Sequence, residues 1–284
     1  MAASYPAKVL LFGEHTVLRG GRGLAVPFPG FSLRWEHDAP DERLLQFCDY
    51  LKEHVSVDVL NWSRLEDDLL EDWRLVGNIP EGYGLGSSGA VCAAVFDRYA
   101  TTKGRNLGLT ELQQTLAIME GHFHGESSGT DPLVSYLQRP VLIGDGPAQL
   151  VDLPEGWNSK FFLVDTGRER KATTLINRFL KMYDEDPDFR RKVEEQWKPL
   201  VDRAINALIE GDARKLRRAF YGISDWQMKE FRRFIPVPSR KTWQLEQGYA
   251  LKICGAGGGG MLLGLSHNKK RVRATLGSDC YWLT

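Results

Sequence analysis

The chain has 284 residues, 42% of them hydrophobic, which is enough for one large domain or two modest ones with real cores. Lys plus Arg and Asp plus Glu balance at 37 each, so no long-range field favours nucleic acid or an anionic membrane, and any bound anion must be held by a local site. No apolar run approaches the roughly 18 residues that span a bilayer, the start lacks a signal-peptide pattern, and Cys48, Cys92, Cys254 and Cys280 show no C-x-x-C spacing; a cytosolic protein with free thiols is expected.

The first predicted element is the apolar run "AKVLLFGEH", a buried strand ended by a glycine turn, followed by an extended segment over "GLAVPFPGFSLRW". Residues 41–73 mix helical spacing with charge and predict surface helices, and "WRLVGNIP" predicts a strand. From Ser88 to Tyr99 small and apolar residues run without a breaker, which predicts a closely packed helix. "LTELQQTLAIMEGHFHG" predicts another, N-capped by Thr110, with Leu112, Leu116, Met119 and Phe123 on its buried face. At about 100° per residue, Glu120 falls roughly 70° from the centre of that face, at the border of the core. "PVLIGD" and "KFFLVDTG" predict strands, the latter opening a second domain. Residues 186–234 are predicted helical, with a stripe of Val193, Trp197, Leu200, Val201, Ala204, Ile205 and Leu208 and a stop and restart at Gly211 and Asp212. "YALKICGAGGGGMLLGLS" reads as strand, glycine loop, strand.

Three stretches carry chemistry. "EGYGLGSSGAV" contains G-x-G-x-x-G at Gly84, Gly86 and Gly89, but no second strand ending in an acidic residue follows at the distance a dinucleotide fold requires. As a phosphate loop the residues fit individually: glycines admit close backbone approach, a helix start presents N–H groups, and Ser87 and Ser88 add hydroxyls. It is not a Walker loop, since it holds no lysine, and the cation must come from elsewhere. "CGAGGGGM" lies between two apolar strands, so its glycines imply approach to a ligand or another backbone rather than a linker. "EGHFHGESSGTD" holds Glu120 and Asp131, the latter expected at a loop tip; H-x-H at His122 and His124 also admits a zinc reading that lacks a third ligand. Lys8 is an isolated cation in a buried strand, with Glu14 and His15 in the turn after it.

Taken together, "PAKVLLFGEHTVLRGG", "IPEGYGLGSSGAV" and "KICGAGGGGM" resemble motifs one, two and three of the GHMP kinases, in order, and the resemblance spans almost the whole chain. It implies an α+β fold of two domains: a ribosomal-protein-S5-like domain over residues 1–158 and a ferredoxin-like domain over 159–284, with ATP in the cleft between. On this resemblance Gly84, Leu85, Gly86, Ser87, Ser88 and Gly89 wrap the triphosphate, and Gly255, Ala256, Gly257 and Gly258 brace the phosphates. Ser88 and Glu120 hold Mg²⁺, Asp131 is the catalytic aspartate, and Lys8 lies beside it. The segment from His124 to Asp131 is similar to the mevalonate-kinase pattern H-G-x-P-S-G-x-D, with Ser127 in place of proline.

Motif one points to the substrate. Where galactokinases carry an acid that reads sugar hydroxyls, this chain has Val17, and "GEHTVL" is most similar to the mevalonate-kinase form, in which Glu14 and His15 line the substrate pocket. "VDTGRERKATTLI" is similar to the substrate strand of that form, with Arg170 for a carboxylate and Thr173 for a hydroxyl. The resemblance therefore implies ATP and Mg²⁺ as cofactors and a small primary alcohol, mevalonate first, as substrate. Phosphomevalonate or a sugar is the alternative, and a non-catalytic nucleotide sensor a distant one. No nucleic acid or membrane partner is expected; a second copy of the chain is the one candidate protein partner.

Overall fold

The computed structural model describes residues 3–169, 172–243, 248–277 and 280–284. Strand β1 (Tyr5–Phe12) is the expected apolar run, with Ala7, Val9, Leu11 and Phe12 fully buried. It ends at Gly13, whose φ of 100° and the 2.5 Å between an added Cβ and the Gly23 Cα leave room for glycine alone. Strand β2 (Gly23–His37) covers the predicted extended segment.

The chain forms two compact units that are not consecutive halves: one comprises residues 1–8, 25–80 and 86–141, the other 9–24, 81–85 and 142–284. In the first unit, helices α1 (Glu42–His54) and α2 (Trp62–Leu70) start where Asp41 and Asn61 side chains accept backbone N–H groups, and they bury Leu44, Phe47 and Leu51 and Leu65 and Leu69. Strand β3 (Trp73–Gly77) pairs antiparallel with β2, from Leu33 opposite Gly77 to His37 opposite Trp73. Helix α3 (Ser87–Tyr99) buries Ala90, Cys92, Ala93, Ala94 and Val95, small residues that allow close packing on its neighbours. After the short α4 (Thr102–Arg105) come α5 (Leu109–His124) and α6 (Thr130–Leu137). Two details of α5 differ from expectation. Gly108, not Thr110, is the N-cap, because Glu111 reaches back to accept the Gly108 N–H at 3.3 Å. Phe123 is 38% exposed, resting on the Phe47 ring near the helix end instead of joining Leu112, Leu116 and Met119 in the core.

In the second unit, β4 (Val141–Ile143) and β5 (Gln149–Leu150) precede β6 (Phe161–Asp165). Helices α7 (Ala172–Glu185), α8 (Pro187–Lys192), α9 (Lys198–Ile209) and α10 (Ala213–Glu230) follow, α8 and α9 joined by a π-helical turn over Val193–Trp197. The predicted stripe is buried at Val193, Trp197, Val201, Ala204, Ile205 and Leu208, with Leu200 half-buried, and Asp212 caps α10. Strands β7 (Tyr249–Ile253) and β8 (Met261–Ser266), helix α11 (Lys269–Leu276) and β9 (Cys280–Trp282) complete an antiparallel sheet of order β7-β8-β6-β9. The four cysteines are thiols, Cys92 and Cys254 among the buried ones. Among the described residues no helix is long and apolar enough to cross a membrane.

Candidate active site

The first unit gathers Lys8, Ser88, Glu120 and Asp131. Lys8 projects from β1 and is 7% exposed, and its Nζ lies 2.8 Å from Asp131 Oδ1. The Asp131 side chain keeps about a third of its surface open (32%), so the carboxylate is held by the lysine on one side and accessible on the other. It does not sit at a loop tip. Gly129, at φ 68°, reverses the chain and Asp131 falls in the first turn of α6, where the helix favours negative charge. That turn is clamped on α5: Gln113 Nε2 donates to the Ser128 carbonyl at 2.8 Å, and a Cβ on Gly129 would meet the Gln113 carbonyl at 2.2 Å.

One helical turn separates Glu120 from His124, and both meet Ser88 at the start of α3. Ser88 Oγ donates to Glu120 Oε1 at 2.9 Å and lies 2.9 Å from His124 Nε2. Ser127, the departure from the family pattern, donates its hydroxyl to the other Glu120 oxygen and accepts the Gly129 N–H at 3.0 Å, so the change supplies a donor that proline lacks. The i, i+4 spacing of Glu120 and His124 was the available signal for their shared face. His122 turns away to pack on Phe47 and Tyr50, and among the described residues no three His, Cys, Asp or Glu side chains form a group able to hold a metal, so the zinc reading has no site.

Burial, then the charge of Asp131, pushes the Glu120 carboxyl up from an ordinary 4.5 to about 7, against the donors Ser127 and Ser88 and the cation Lys8. The folded chain thus holds this proton more tightly than the unfolded one. The contribution to stability is full below pH 4.5 and is lost as pH rises through about 7, a change of about 3 kcal/mol at 1.36 kcal/mol per pH unit. Melting curves of metal-free protein between pH 4.5 and 8 should show this decline, and Glu120→Gln should flatten it; an equally steep decline in the variant would contradict the assignment.

The second unit holds the other expected residues. Gly84 adopts φ 75° and Leu85 is buried. Glu14 is 1% exposed: Lys252 Nζ lies 2.9 Å from its Oε2, both side chains fully buried, and Gln227 Nε2 donates to Oε1 at 2.6 Å. His15 has φ 59° and ψ −41°, an unfavourable backbone for a residue with a side chain, and is held by its surroundings. Its Nε2 lies 3.0 Å from the Ala256 carbonyl, and its ring is enclosed by Phe179, Phe231 and Phe234 at 4.9, 5.1 and 5.3 Å. The glycine loop answers the question its spacing raised, since what approaches is other backbone. Added Cβ atoms on Gly257, Gly259 and Gly260 would meet the carbonyls of Phe234, Arg168 and Tyr83 at 2.5–2.6 Å. Gly255 and Gly258 also take positive φ, 66° and 79°. Thr173 is exposed in the first turn of α7, and Arg170 lies outside the described residues. No spacing in the sequence links Glu14 to Lys252 and Gln227, which hold it from more than 200 residues away.

Residues 44–139 match the family described as the GHMP kinases N terminal domain. Mevalonate kinase of Pyrococcus horikoshii is 26% identical over 96% of this chain and 90% of its own length. The fold is shared with L. major mevalonate kinase in complex with R-mevalonate, at TM-score 0.64 and 18% identity over 99% of this chain and 96% of the other. It is shared also with Streptococcus pneumoniae phosphomevalonate kinase in complex with phosphomevalonate and AMPPNP, at TM-score 0.68 and 17% identity over 100% and 98%. Residues 44–139 thus carry the GHMP kinases N terminal domain, and the chain shares the fold of these kinases.

The GHMP kinase N-terminal match covers the glycine turn, Glu120 and Asp131, while Lys8 and the second glycine loop lie outside it. Within it, Gly89 has a steric reason to be glycine: an added Cβ would stand 2.8 Å from the Asp131 carbonyl carbon and the Pro132 nitrogen. Backbone cannot yield as a side-chain tip can, so Gly89→Ala should push the start of α6 away and cost about 1–3 kcal/mol in urea unfolding. A variant as stable as the parent would show that this contact is slack.

Proposed function

We propose that the chain is an ATP-dependent kinase that transfers the γ-phosphoryl group of MgATP to the primary hydroxyl of mevalonate. The observation that carries the reading is the Lys8–Asp131 ion pair in the same unit as the Ser88–Glu120 pair, with glycines at positions 86 and 89. Phosphoryl transfer asks for positioning and charge neutralisation rather than covalent help. In this reading the open face of Asp131 orients the alcohol and accepts its proton, and Lys8 fixes the carboxylate. The backbone of Gly84, Leu85, Gly86, Ser87, Ser88 and Gly89 wraps the triphosphate, with the N–H groups at the start of α3 directed at it.

The donors suit Mg²⁺. Ser88 and Glu120 offer oxygen only, and two protein oxygens without a closed cage are what a cation that keeps water and phosphate ligands requires. When bound, the metal neutralises phosphate charge. Gly255, Ala256, Gly257 and Gly258 brace the phosphates by shaping their loop, and Glu14, His15, Arg170 and Thr173 serve the substrate. Because Glu14 and His15 are buried against Lys252 and Ala256, we assign them to shaping the pocket wall. Residues 1–158 form the ATP-binding portion and 159–284 the portion carrying the third motif.

The relatives named mevalonate kinase support this alcohol over others. ADP release measured side by side with mevalonate, phosphomevalonate, galactose and homoserine tests it. Turnover with mevalonate well above the rest is expected; phosphorylation of another alcohol with none of mevalonate would overturn the specificity.

A further inference from the structure

The second unit carries a concentration of positive charge that no role above uses. A cavity of about 520 Å³ is lined by Arg178 of α7, by Lys229 and Glu230 at the end of α10, by Arg232 and Arg233 in the turn that follows, and by Arg240. Five cations thus face one anion, in a chain whose charges otherwise balance.

Some of these charges are already engaged. Glu230 accepts Lys192 at 2.7 Å, Lys229 is paired with Asp225 at 2.8 Å, and the Arg240 guanidinium donates to the carbonyls of Ile235 and Arg232 at 3.1 and 2.8 Å. Arg178, Arg232 and Arg233 have no anionic partner among the described residues; Arg178 lies over the Phe234 ring at 5.9 Å. Three guanidinium groups collected on one concavity repel one another unless an anion joins them.

We propose that this cavity binds a small phosphorylated compound through Arg178, Arg232 and Arg233. The planar fork of arginine matches phosphate oxygens two at a time, and three such groups suit a dianion or diphosphate better than a single carboxylate. The volume falls within the 300–1,000 Å³ of small-molecule sites, and Met182 and Phe234 give an apolar wall for the organic part of the ligand. That wall adjoins the third motif: the Phe234 carbonyl accepts the Gly258 N–H at 2.7 Å, and its ring meets His15. The proposal concerns binding and stands independently of the kinase reading.

Isothermal calorimetry with inorganic phosphate and with pyrophosphate, on the full chain at 0.15 M salt, tests it. Saturable pyrophosphate binding is expected, weaker for phosphate and undetectable for acetate. R232Q/R233Q should weaken it at least tenfold, and R232K/R233K, which keeps the charge without the fork, should fall between. Melting temperatures of these variants should stay near the parent value, since both residues are exposed. Pyrophosphate could also enter the glycine turn, so Ser88→Ala is titrated in parallel. Binding lost in Ser88→Ala and kept in the arginine variants would overturn the proposal, as would the absence of saturable binding to the parent protein.

Discussion

Asp131→Asn is expected to lower the turnover of MgATP with mevalonate by about 10²–10⁴-fold, the range set by losing a positioned general base, while the KM for either substrate changes little. Asparagine keeps the size of the side chain and one oxygen for the Lys8 ammonium at the place where Oδ1 now accepts it at 2.8 Å. It loses the second carboxylate oxygen as a proton acceptor. Because the side chain is partly open and sits on a helix turn anchored by Gln113 and Gly129, the fold should survive the change, which a melting curve can check. Lys8→Met is the companion. Removing the cation leaves Asp131 without its fixed partner, so turnover should fall there too, with a loss of stability that Asp131→Asn does not share. A coupled ADP-release assay decides: an undiminished rate in Asp131→Asn would sink the proposed mechanism while leaving the match of residues 44–139 to the GHMP kinases N terminal domain intact.

Much of the fold was legible because its signals are local. The apolar run from Tyr5 to Phe12, the breaker-free stretch after Ser88 and the heptad-like stripe from Val193 to Leu208 each report their own burial, and the structure buries them. Ser-Ser-Gly is turn chemistry and by itself points to a loop tip for Asp131; that Gly129 reverses the chain directly into α6 depends on its contact with Gln113, which only tertiary structure supplies. Phe123 followed the helical period but lies at the end of α5, where the core runs out. The glycine run at 255–260 announced close approach without saying to what, and the answer came from Tyr83, Arg168 and Phe234, each far away in sequence. At the candidate site, residue identities could be read from the motifs, but Ser127 and His124 acquired partners only when α3, α5 and α6 came together.

Lys252→Met should destabilise the protein by about 3–5 kcal/mol, the usual consequence of leaving one member of a buried ion pair unmatched. Both Lys252 and Glu14 are fully buried, so no water can replace the ammonium. Gln227 would remain as a donor to Glu14 at 2.6 Å, but a neutral amide cannot balance a carboxylate, and its Oε1 is already committed to the Ile253 N–H at 2.9 Å. At about 2–4 °C per kcal/mol for a chain of this size, the melting temperature should fall by about 10 °C. The informative comparison is Glu14→Gln combined with Lys252→Met, which removes both charges: if the penalty is the unmatched carboxylate, the double variant should recover most of the lost stability. A double variant no more stable than Lys252→Met would assign the loss to packing at the end of β7 instead. The pair also bears on the site, because Glu14 adjoins His15 and Lys252 stands two residues before Cys254, so the ion pair ties the turn after β1 to the strand that delivers the glycine loop. Under the proposed function the recovered double variant should therefore fold yet turn over mevalonate more slowly than the parent, separating what the pair does for stability from what it does for the loop.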